Sequence, residues 1–560
     1  MILILLRLRE NIPVIMMGET GCGKTALIRK LSELVNNGES KMKILNIHAG
    51  ITDKEIVDFL YEKQKYGYIS IIEEAEELGK KETDDLKKKV WIFLDEINTC
   101  NSMGLICEMM TKHSCQGKKL PKNIVFIAAC NPYRMSSKKE ESVGLKVKGT
   151  KERKLVYTVN PLPHSLLNFV FNFGSLTEED EKSYIKNMLV GPIENFYWKN
   201  IEQNENNKEE SEKDDEKERK MHNLKNYLDN ETLDQCENLK EIACNSIIEA
   251  QNNIRDKNDV SSVSLREIRR FIIFYNFFVE YLRNKKNLST NMNQEENFQF
   301  INLDDYNIYK YSINLSIYVC YYLRLTKKEF RDELSKKLNK HFGCDFKKFP
   351  QEEENYILNN IEIKKGIAKN KALLENLFAL FVCVNAKVPL FMVGKPGCSK
   401  SLSVELLFNS MKGEISDNNL FKILPKLIIH PYQGSLSSTS QGVLDVFTRA
   451  RLILNKNYEN DKEKKSNLSK IISMIYFDEM GLAENSPYNP LKVIHSELEY
   501  DLNEGSKKIA FVGISNWRLD ASKMNRGIYL SIPQPDLTDL KITAQTIASS
   551  YNRQISLVII

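Results

Sequence analysis

The chain has 560 residues, of which 42% are hydrophobic and 28% are charged, the composition of an ordinary globular protein. This length is too great for one hydrophobic core and predicts about three or four domains, while the composition excludes fibrous and membrane-spanning classes. The 80 basic and 75 acidic residues nearly balance to a net charge of +5, so charge gives no reason to expect a nucleic-acid partner.

The first strong pattern is a β-leaning apolar run, 14–17, that leads into Gly-x-x-x-x-Gly-Lys-Thr. A helix-like segment follows it, and strand, loop and helix together form the context that a phosphate-binding loop requires. Backbone N–H groups of such a loop cradle phosphate oxygens; Lys24 is expected to reach the β- and γ-phosphates, and the Thr25 hydroxyl to bind Mg²⁺. The predicted nucleotide-binding residues are Gly18, Glu19, Thr20, Gly21, Cys22, Gly23, Lys24 and Thr25.

Further along the chain, a continuous apolar strand pattern, 90–94, ends in two adjacent carboxylates, Asp95 and Glu96. Because α/β sheets bind ligands beyond the carboxyl ends of their strands, we expect Asp95 to orient Mg²⁺ and Glu96 to act as general base on the attacking water. An Asp-Glu pair at a strand end is common by itself. The interpretation therefore depends on Lys24, which lies 71 positions earlier (95 − 24) in the same predicted domain.

A third strand pattern, 123–130, ends in Asn131-Pro132. A polar side chain at this strand end is positioned to hydrogen-bond the γ-phosphate or the catalytic water, the role called sensor 1. An Asn-Pro turn explains the same residues equally well when only one copy is considered.

Helical patterns dominate from about residue 176, interrupted by a charged low-complexity stretch, 203–220, that is predicted to be a disordered insertion. Ser264 and Glu267 have the spacing of a capping box at the start of a later helix. Arg266, in the first turn of that helix, is a candidate to reach back to the nucleotide. A solvent-facing arginine is an equally good reading of this position.

The second half of the chain repeats the first. A P-loop-like stretch, 394–401, is followed by a strand pattern ending in Asp478-Glu479 and by another ending in Asn516. The Asp-to-Asn separation is 36 positions in the first copy (131 − 95) and 38 in the second (516 − 478). A turn-forming asparagine has little reason to recur at this distance, so the repeat strengthens both sensor interpretations.

The second copy supplies a second set of candidate ligands. Ser401 and Asp478 are the predicted Mg²⁺ ligands, and Glu479 is the predicted general base. Ser399 stands where the first loop has a glycine. This change is expected to affect how tightly the loop binds nucleotide more than whether it is a nucleotide-binding loop. The predicted nucleotide-binding residues are Gly394, Lys395, Pro396, Gly397, Cys398, Ser399, Lys400 and Ser401.

These motifs, with a helical lid between them, resemble those of the AAA+ ATPases, and tandem copies in one chain resemble the midasin and dynein type. Several longer phrases are more specific and look like the third and fourth AAA modules of the mysterin family of giant RING-finger ubiquitin ligases. The likeness covers most of residues 11–545, apart from the charged insertions. The phrases are 18–25, Phe93-Leu-Asp-Glu-Ile-Asn98, 394–401, His430-Pro-Tyr-Gln-Gly434, Phe477-Asp-Glu-Met-Gly-Leu-Ala-Glu484 and Asn516-Trp517.

The resemblance implies an α/β fold with two tandem AAA+ P-loop NTPase modules, each a parallel sheet flanked by helices. The expected divisions are a first module at 1–175, a helical lid and connector at 176–350, a second module at 351–545 and the start of a truncated second lid at 546–560. Arg526 occupies the place of the arginine finger and would point at the nucleotide held by the first module; a helix-end or salt-bridge arginine is the alternative.

The function expected from the resemblance is ATP binding and Mg²⁺-dependent ATP hydrolysis by a motor core within a mysterin-like ubiquitin ligase. The implied partners are other AAA modules of the same chain in a ring and ubiquitin-system proteins bound through other parts of the protein. Two alternatives remain: a slow or non-hydrolysing nucleotide switch, and a midasin- or dynein-type remodeller.

The eleven cysteines include no Cys-x-x-Cys pair, which argues against a zinc ribbon or RING domain within these residues. Free thiols in a reducing compartment are the simpler explanation, so we expect a cytoplasmic protein. No apolar stretch is long enough to predict a transmembrane segment.

Overall fold

The computed structural model describes residues 1–19, 21–37, 42–47, 51–62, 70–79, 86, 89–100, 102–135, 159–174, 177–205, 230–257, 262–291, 304–463, 471–488, 490–500, 508–519 and 524–550. The candidate ligand Thr20 lies outside these residues. So do the predicted insertion from residue 206 onward and residues 551–560 of the predicted second lid.

The first module is built on a five-stranded parallel sheet in the order β2-β3-β6-β1-β7. Every residue of β6 and five of the six in β3 are buried, as expected for strands that are covered on both faces. The strands are β1 (Val14–Gly18), β2 (Lys43–Asn46), β3 (Val90–Asp95), β6 (Ile124–Cys130) and β7 (Val170–Gly174), with β4 (Ser114–Cys115) and β5 (Lys118–Lys119) forming a small antiparallel pair.

Helices cover this sheet on both faces and enclose two hydrophobic clusters, one on each side. Helix α3 begins in a capping box: the Thr52 side chain accepts from the Glu55 N–H, and the Glu55 carboxylate accepts from the Thr52 N–H at 2.7 Å. The helices are α1 (Ile2–Arg9), α2 (Lys24–Val35), α3 (Asp53–Tyr61), α4 (Ile71–Gly79), α5 (Met103–Lys112) and α6 (His164–Leu167).

A helical region joins the two modules. Its buried side chains form one continuous cluster with one face of the second sheet, and Phe278 of the region stacks on Phe378 with ring centroids 6.3 Å apart. The lid and connector are therefore packed onto the second module. The helices of this region are α7 (Glu178–Glu205), α8 (Asn230–Lys257), α9 (Leu265–Asn291), α10 (Asp305–Cys320), α11 (Lys328–Phe342) and α12 (Lys348–Asn360). Helix α13 (Lys371–Asn385), which carries Phe378, is the first helix of the second module.

The second module repeats the sheet of the first, with all neighbouring strands parallel and in the order β9-β10-β11-β8-β12. The strands are β8 (Leu390–Val393), β9 (Lys426–Gln433), β10 (Ile471–Asp478), β11 (Ala510–Ser515) and β12 (Ile528–Ser531). The helices are α14 (Lys400–Ser410), α15 (Asn419–Lys422), α16 (Ser440–Glu463), α17 (Met480–Glu484), α18 (Val493–Tyr500) and α19 (Leu537–Ser550).

The predicted α/β class, with parallel sheets flanked by helices, is confirmed. In both sheets the strand that precedes the glycine-rich loop lies beside the central strand, which precedes the asparagine. The carboxyl ends of these strands share one edge of the sheet, which is where α/β folds bind ligands.

Candidate functional site

The first glycine-rich loop connects the end of β1 to the start of α2. Gly21 and Gly23 have φ angles of +81° and +88°, in the left-handed region that glycine enters without strain. A Cβ built on Gly23 would meet no atom within 4 Å, so the loop is open on this side. The loop delivers the chain to the N-terminus of α2, where backbone N–H groups favour an anion.

The Lys24 side chain is buried within this loop, with 8% of the residue exposed. Its Nζ donates to the backbone carbonyls of Gly18 at 2.6 Å and Glu19 at 2.9 Å. The positive charge is therefore held at the inner face of the loop by neutral partners, and phosphate oxygens would be stronger acceptors for it.

Adjacent to the lysine, the Thr25 hydroxyl donates to Oδ2 of Asp95 at 3.3 Å. The Glu96 backbone N–H donates to the other oxygen, Oδ1, at 3.0 Å, and Glu96 itself has a φ of +55°. The left-handed conformation at Glu96 turns the chain sharply after β3, so the two neighbouring carboxylates serve different partners. Burial, aided by Glu96, raises the pKa of Asp95.

These residues fit the group that the motif implies. A hydroxyl and a carboxylate in contact are oxygen donors of the kind Mg²⁺ prefers, and a buried ammonium lies beside them. The nearby positive charges of Arg526, Lys24 and Arg266 offset part of the rise in the pKa of Asp95 that burial causes.

Arg526 of the second module lies in the site of the first. Its Nη2 donates to Oε1 of Glu96 at 3.0 Å, and its side chain is 7% exposed. Burial and the neighbouring Arg266 lower its pKa to about 10. The next residue, Gly527, packs closely on its own module, where a Cβ would lie 2.6 Å from the Pro389 carbonyl oxygen. The structure therefore brings the predicted finger together with the predicted base.

Arg266 also lies at this site. The Ser264 N–H donates to Oε2 of Glu267 at 2.7 Å and the Arg266 N–H donates to the Ser264 hydroxyl at 3.3 Å, which begins α9 with the predicted cap. The helix start contacts the glycine-rich loop so closely that a Cβ on Gly21 would lie 2.6 Å from the Ser264 Oγ. Arg266 is half-buried; its charge opposes the rise in the pKa of Asp95 and helps to lower the pKa of Arg526.

Asn131 follows β6 at the same edge and is 4% exposed. Its backbone carbonyl accepts from Nδ2 of Asn98 at 2.8 Å. Three residues later, Arg134 forms an ion pair with Glu19 of the glycine-rich loop, with Nη2 and Oε1 3.2 Å apart. This clamp between loop and sensor strand was not predicted from the sequence, since no local pattern links positions so far apart.

The second site repeats the first around Lys400, whose Nζ donates to the carbonyls of Gly394 at 2.7 Å and Lys395 at 2.8 Å. Burial lowers the pKa of Lys400. Ser399 adopts the left-handed conformation that Gly23 has in the first loop, with φ +57°. The serine thus keeps the loop shape at the cost of a strained backbone.

The carboxylates of the second site have different partners from those of the first. The Asn516 amide donates to both oxygens of Glu479, at 2.9 and 3.0 Å, and the Glu479 N–H donates to Oδ1 of Asp478 at 2.8 Å. Tyr476 forms hydrogen bonds with Ser401 and Asp478, and burial raises its pKa to about 12. The first module has Phe93 two positions before its aspartate, so this hydroxyl distinguishes the two sites.

In the part of the chain that the structure describes, no group of three or more histidine, cysteine, aspartate or glutamate side chains could hold a metal ion. None of the described helices combines the length and apolar character needed to cross a bilayer.

Comparison with known proteins identifies two family models, each described as an RNF213 AAA domain. The third-module model matches residues 1–134 and the fourth-module model matches residues 366–539. Together they cover more than half of the chain.

Curated proteins show the same similarity over nearly the whole chain. The E3 ubiquitin-protein ligase rnf213-beta of Danio rerio is 33% identical over 583 residues, covering 98% of this chain and 10% of that protein. The E3 ubiquitin-protein ligase RNF213 of Homo sapiens is 32% identical over 584 residues, and that of Mus musculus is 30% identical over 579 residues; each alignment covers 97% of this chain and 10% of the relative. The chain therefore spans about a tenth of the length of these relatives.

Proposed function

This chain belongs to the RNF213 (mysterin) family as a region of two AAA modules, and we propose that it binds and hydrolyses ATP with Mg²⁺ at the first module. AAA domains generally bind ATP with Mg²⁺. What we propose specifically for this chain is that it hydrolyses the ATP, and which residues do so. The single observation that carries it is the contact of Arg526 with Glu96 beside Lys24 and Asp95.

In this proposal each residue has one task. Lys24 would exchange its two backbone carbonyls for phosphate oxygens, and Thr25 with Asp95 would hold Mg²⁺, which would supply positive charge to neutralise the phosphates. Glu96 accepts the proton of the attacking water, and Asn131 orients that water or the γ-phosphate.

Arg526 supplies positive charge where the transition state gains negative charge. An arginine finger provided by a neighbouring module is worth about 10³ to 10⁵ in rate in well-studied phosphoryl-transfer systems. In the described arrangement its guanidinium is bonded to Glu96, the proposed base. We propose that this is the resting arrangement, and that nucleotide binding draws the guanidinium away from Glu96 toward the phosphates. Arg266 contributes a second positive charge from the lid.

A slower role is proposed for the second module, because the Asn516 amide holds both oxygens of Glu479. A base with both oxygens engaged is less available to take a proton from water. We propose that this module binds ATP through Lys400, Ser401 and Asp478 and acts mainly as a nucleotide switch.

The wider context comes from the relatives. RNF213 proteins are ubiquitin ligases, and we propose that this tandem core couples ATP turnover to the arrangement of modules around a ring within such a ligase in the cytoplasm. Ubiquitin-system proteins are the proposed partners, and nucleic acid is not. The family membership favours this context over a midasin- or dynein-type remodeller.

The test measures ATP binding and steady-state phosphate release by the 560-residue chain. Lys24→Ala should abolish binding at the first site, whereas Lys30→Ala, an exposed lysine paired with Glu33 on the same helix, should bind normally. Glu96→Gln should retain ATP but release phosphate about 10² to 10⁴ times more slowly, the usual contribution of a general base. An unchanged rate in Glu96→Gln would leave the switch as the better function.

A further inference from the structure

We propose that Arg270, on the lid helix of the first module, is a positioning residue for the Arg526 finger. This inference rests on the proposed function. It gives the lid of the first module control over Arg526, the residue that the second module supplies to the first site. It is carried by a buried hydrogen-bond network that joins the lid to the finger loop of the second module.

The central contact joins residues 255 positions apart. Nη2 of Arg270 donates to the backbone carbonyl of Asn525 at 2.5 Å, and the two residues are 7% and 6% exposed. Asn525 immediately precedes Arg526, so this bond fixes the backbone from which the finger side chain projects. A charge-assisted hydrogen bond in a dry environment is among the stronger polar contacts in proteins.

Arg270 is itself held in place. Its Nη1 donates to Oε1 of Glu267 at 2.9 Å, and Nη1 of Arg324 donates to the same oxygen at 3.2 Å. Glu267 is 1% exposed, and the two arginines together with the Ser264 cap lower its pKa despite burial. The carboxylate therefore stays ionised and orients the guanidinium toward the finger loop.

Two buried guanidinium groups share one carboxylate, so the cluster carries excess positive charge. Burial lowers the pKa of Arg270, which shows the cost of this charge. The Asn525 carbonyl offsets part of that cost, since an arginine buried without enough acceptors is strongly unfavourable. The finger loop is thus an integral partner of the lid cluster.

The same helix start contacts three parts of the first site. Ser264 adjoins the glycine-rich loop, Arg266 affects Asp95, and Arg270, one turn further on, holds the finger loop. A shift of α9 on nucleotide binding therefore moves the Arg526 backbone with it. The lid sets the fraction of time in which the finger is in position.

The experiment compares Arg270→Met with a matched control, Arg331→Met. Arg331 is also buried, also pairs with a glutamate (Glu375, 2.6 Å) and also donates to a backbone carbonyl (Leu325, 2.6 Å), but neither partner belongs to the finger loop. Arg270→Met should lower kcat by about 10- to 100-fold, the range for loss of a charge-assisted hydrogen bond, with KM nearly unchanged. Arg270→Lys should recover part of the rate.

Two further readouts separate positioning from general damage. In an Arg526→Ala background, Arg270→Met should cause no further loss of kcat, because the finger that it positions is gone. Amide hydrogen exchange at 524–531 should increase in Arg270→Met and stay unchanged in Arg331→Met. Equal losses of rate with and without Arg526 would overturn the inference.

Failure of the proposed function gives a different result. If the parent chain shows no phosphate release that depends on Lys24, ATP hydrolysis at the first module is excluded, and the exchange measurement alone decides whether Arg270 holds the finger loop. Exchange at 524–531 that is the same in the parent chain and in Arg270→Met would overturn the positioning role whether or not the chain hydrolyses ATP.

Discussion

Nη2 of Arg526 donates to Oε1 of Glu96 at 3.0 Å, across 430 positions of sequence and from one module to the other. The guanidinium and the carboxylate are 7% and 19% exposed, so the pair is largely removed from water. The residue proposed to assist hydrolysis and the residue proposed as its base thus hold each other. This contact makes the first site a property of both modules.

Replacing the finger is the most direct test of that shared site. Arg526→Ala should lower the Lys24-dependent kcat by about 10³- to 10⁵-fold while ATP binding at the first loop stays within a few-fold of the parent. Phosphate release and equilibrium nucleotide binding are the measurements. Arg518→Ala is the control, because Arg518 belongs to the same segment but lies over the Tyr529 ring, 5.9 Å from its centroid. Equal losses in the two variants would contradict the finger assignment.

The site residues that could be predicted from the sequence are those in short motifs at the ends of strands. Lys24, Asp95 and Glu96 come from motifs of a few residues, and the shared edge of a parallel sheet brings them together. The predicted α/β class was confirmed for the same reason, since buried strands alternate with helices. The catalytic roles of these residues stay predictions.

The remaining contacts could not be found from local pattern. Arg270 is one of several arginines at the start of α9, and only the folded chain shows that it meets Asn525. Likewise the apolar periodicity of α9 predicts a buried face but not the partner, which includes Phe378 of the second module. Long-range partners depend on how whole elements pack, and a single sequence does not encode that in adjacent residues.

The glycine next to the finger should be sensitive to added volume. A Cβ on Gly527 would lie 2.6 Å from the Pro389 carbonyl oxygen and 2.7 Å from the Phe391 ring, so Gly527→Ala must displace the loop. We expect it to cost about 1–3 kcal/mol of stability, as overpacking does, and to lower first-site kcat. Gly104→Ala, where a Cβ meets no atom within 4 Å, is the control; it lies in helix α5, so it should raise stability by about 0.5–1 kcal/mol and leave the rate unchanged. A fully active Gly527→Ala chain would contradict the close packing.

The serine of the second loop offers a reciprocal test of backbone strain. Ser399 and Gly23 occupy the same left-handed position, with φ of +57° and +88°. Ser399→Gly should relieve about 1–2 kcal/mol of strain, partly offset by the greater entropy of glycine in the unfolded chain, and so raise stability by about 0.5–1 kcal/mol. Gly23→Ser should lower it by a similar amount. Thermal unfolding of the two variants checks these directions. A loss of stability in Ser399→Gly and a gain in Gly23→Ser would show that the serine makes a favourable contact.

A buried carboxyl in the connector makes stability depend on pH. Burial, with a further contribution from Glu375, raises the pKa of Glu354 from 4.5 to about 8, and the Tyr318 hydroxyl donates to its Oε1 at 2.7 Å. Between these two pKa values the folded chain holds a proton that the unfolded chain has lost. The stability from this group is therefore complete below pH 4.5 and falls as pH rises toward 8.

Glu354→Gln removes this titration and should flatten the pH dependence. The unfolding free energy of the parent minus that of the variant should fall as pH rises from 5.5 to 8.5, because only the parent loses the stabilising proton. The limit for one proton is about 1.4 kcal/mol per pH unit. Tyr318→Phe is the matched control: the hydroxyl acts to lower the pKa of Glu354, so its removal leaves the carboxyl with an equally raised or higher pKa and should keep the slope. Denaturant unfolding at each pH measures the unfolding free energies of the parent and both variants. Parallel curves for the parent and Glu354→Gln would show that Glu354 is ionised in the folded chain, with its charge balanced by neighbours such as Arg331.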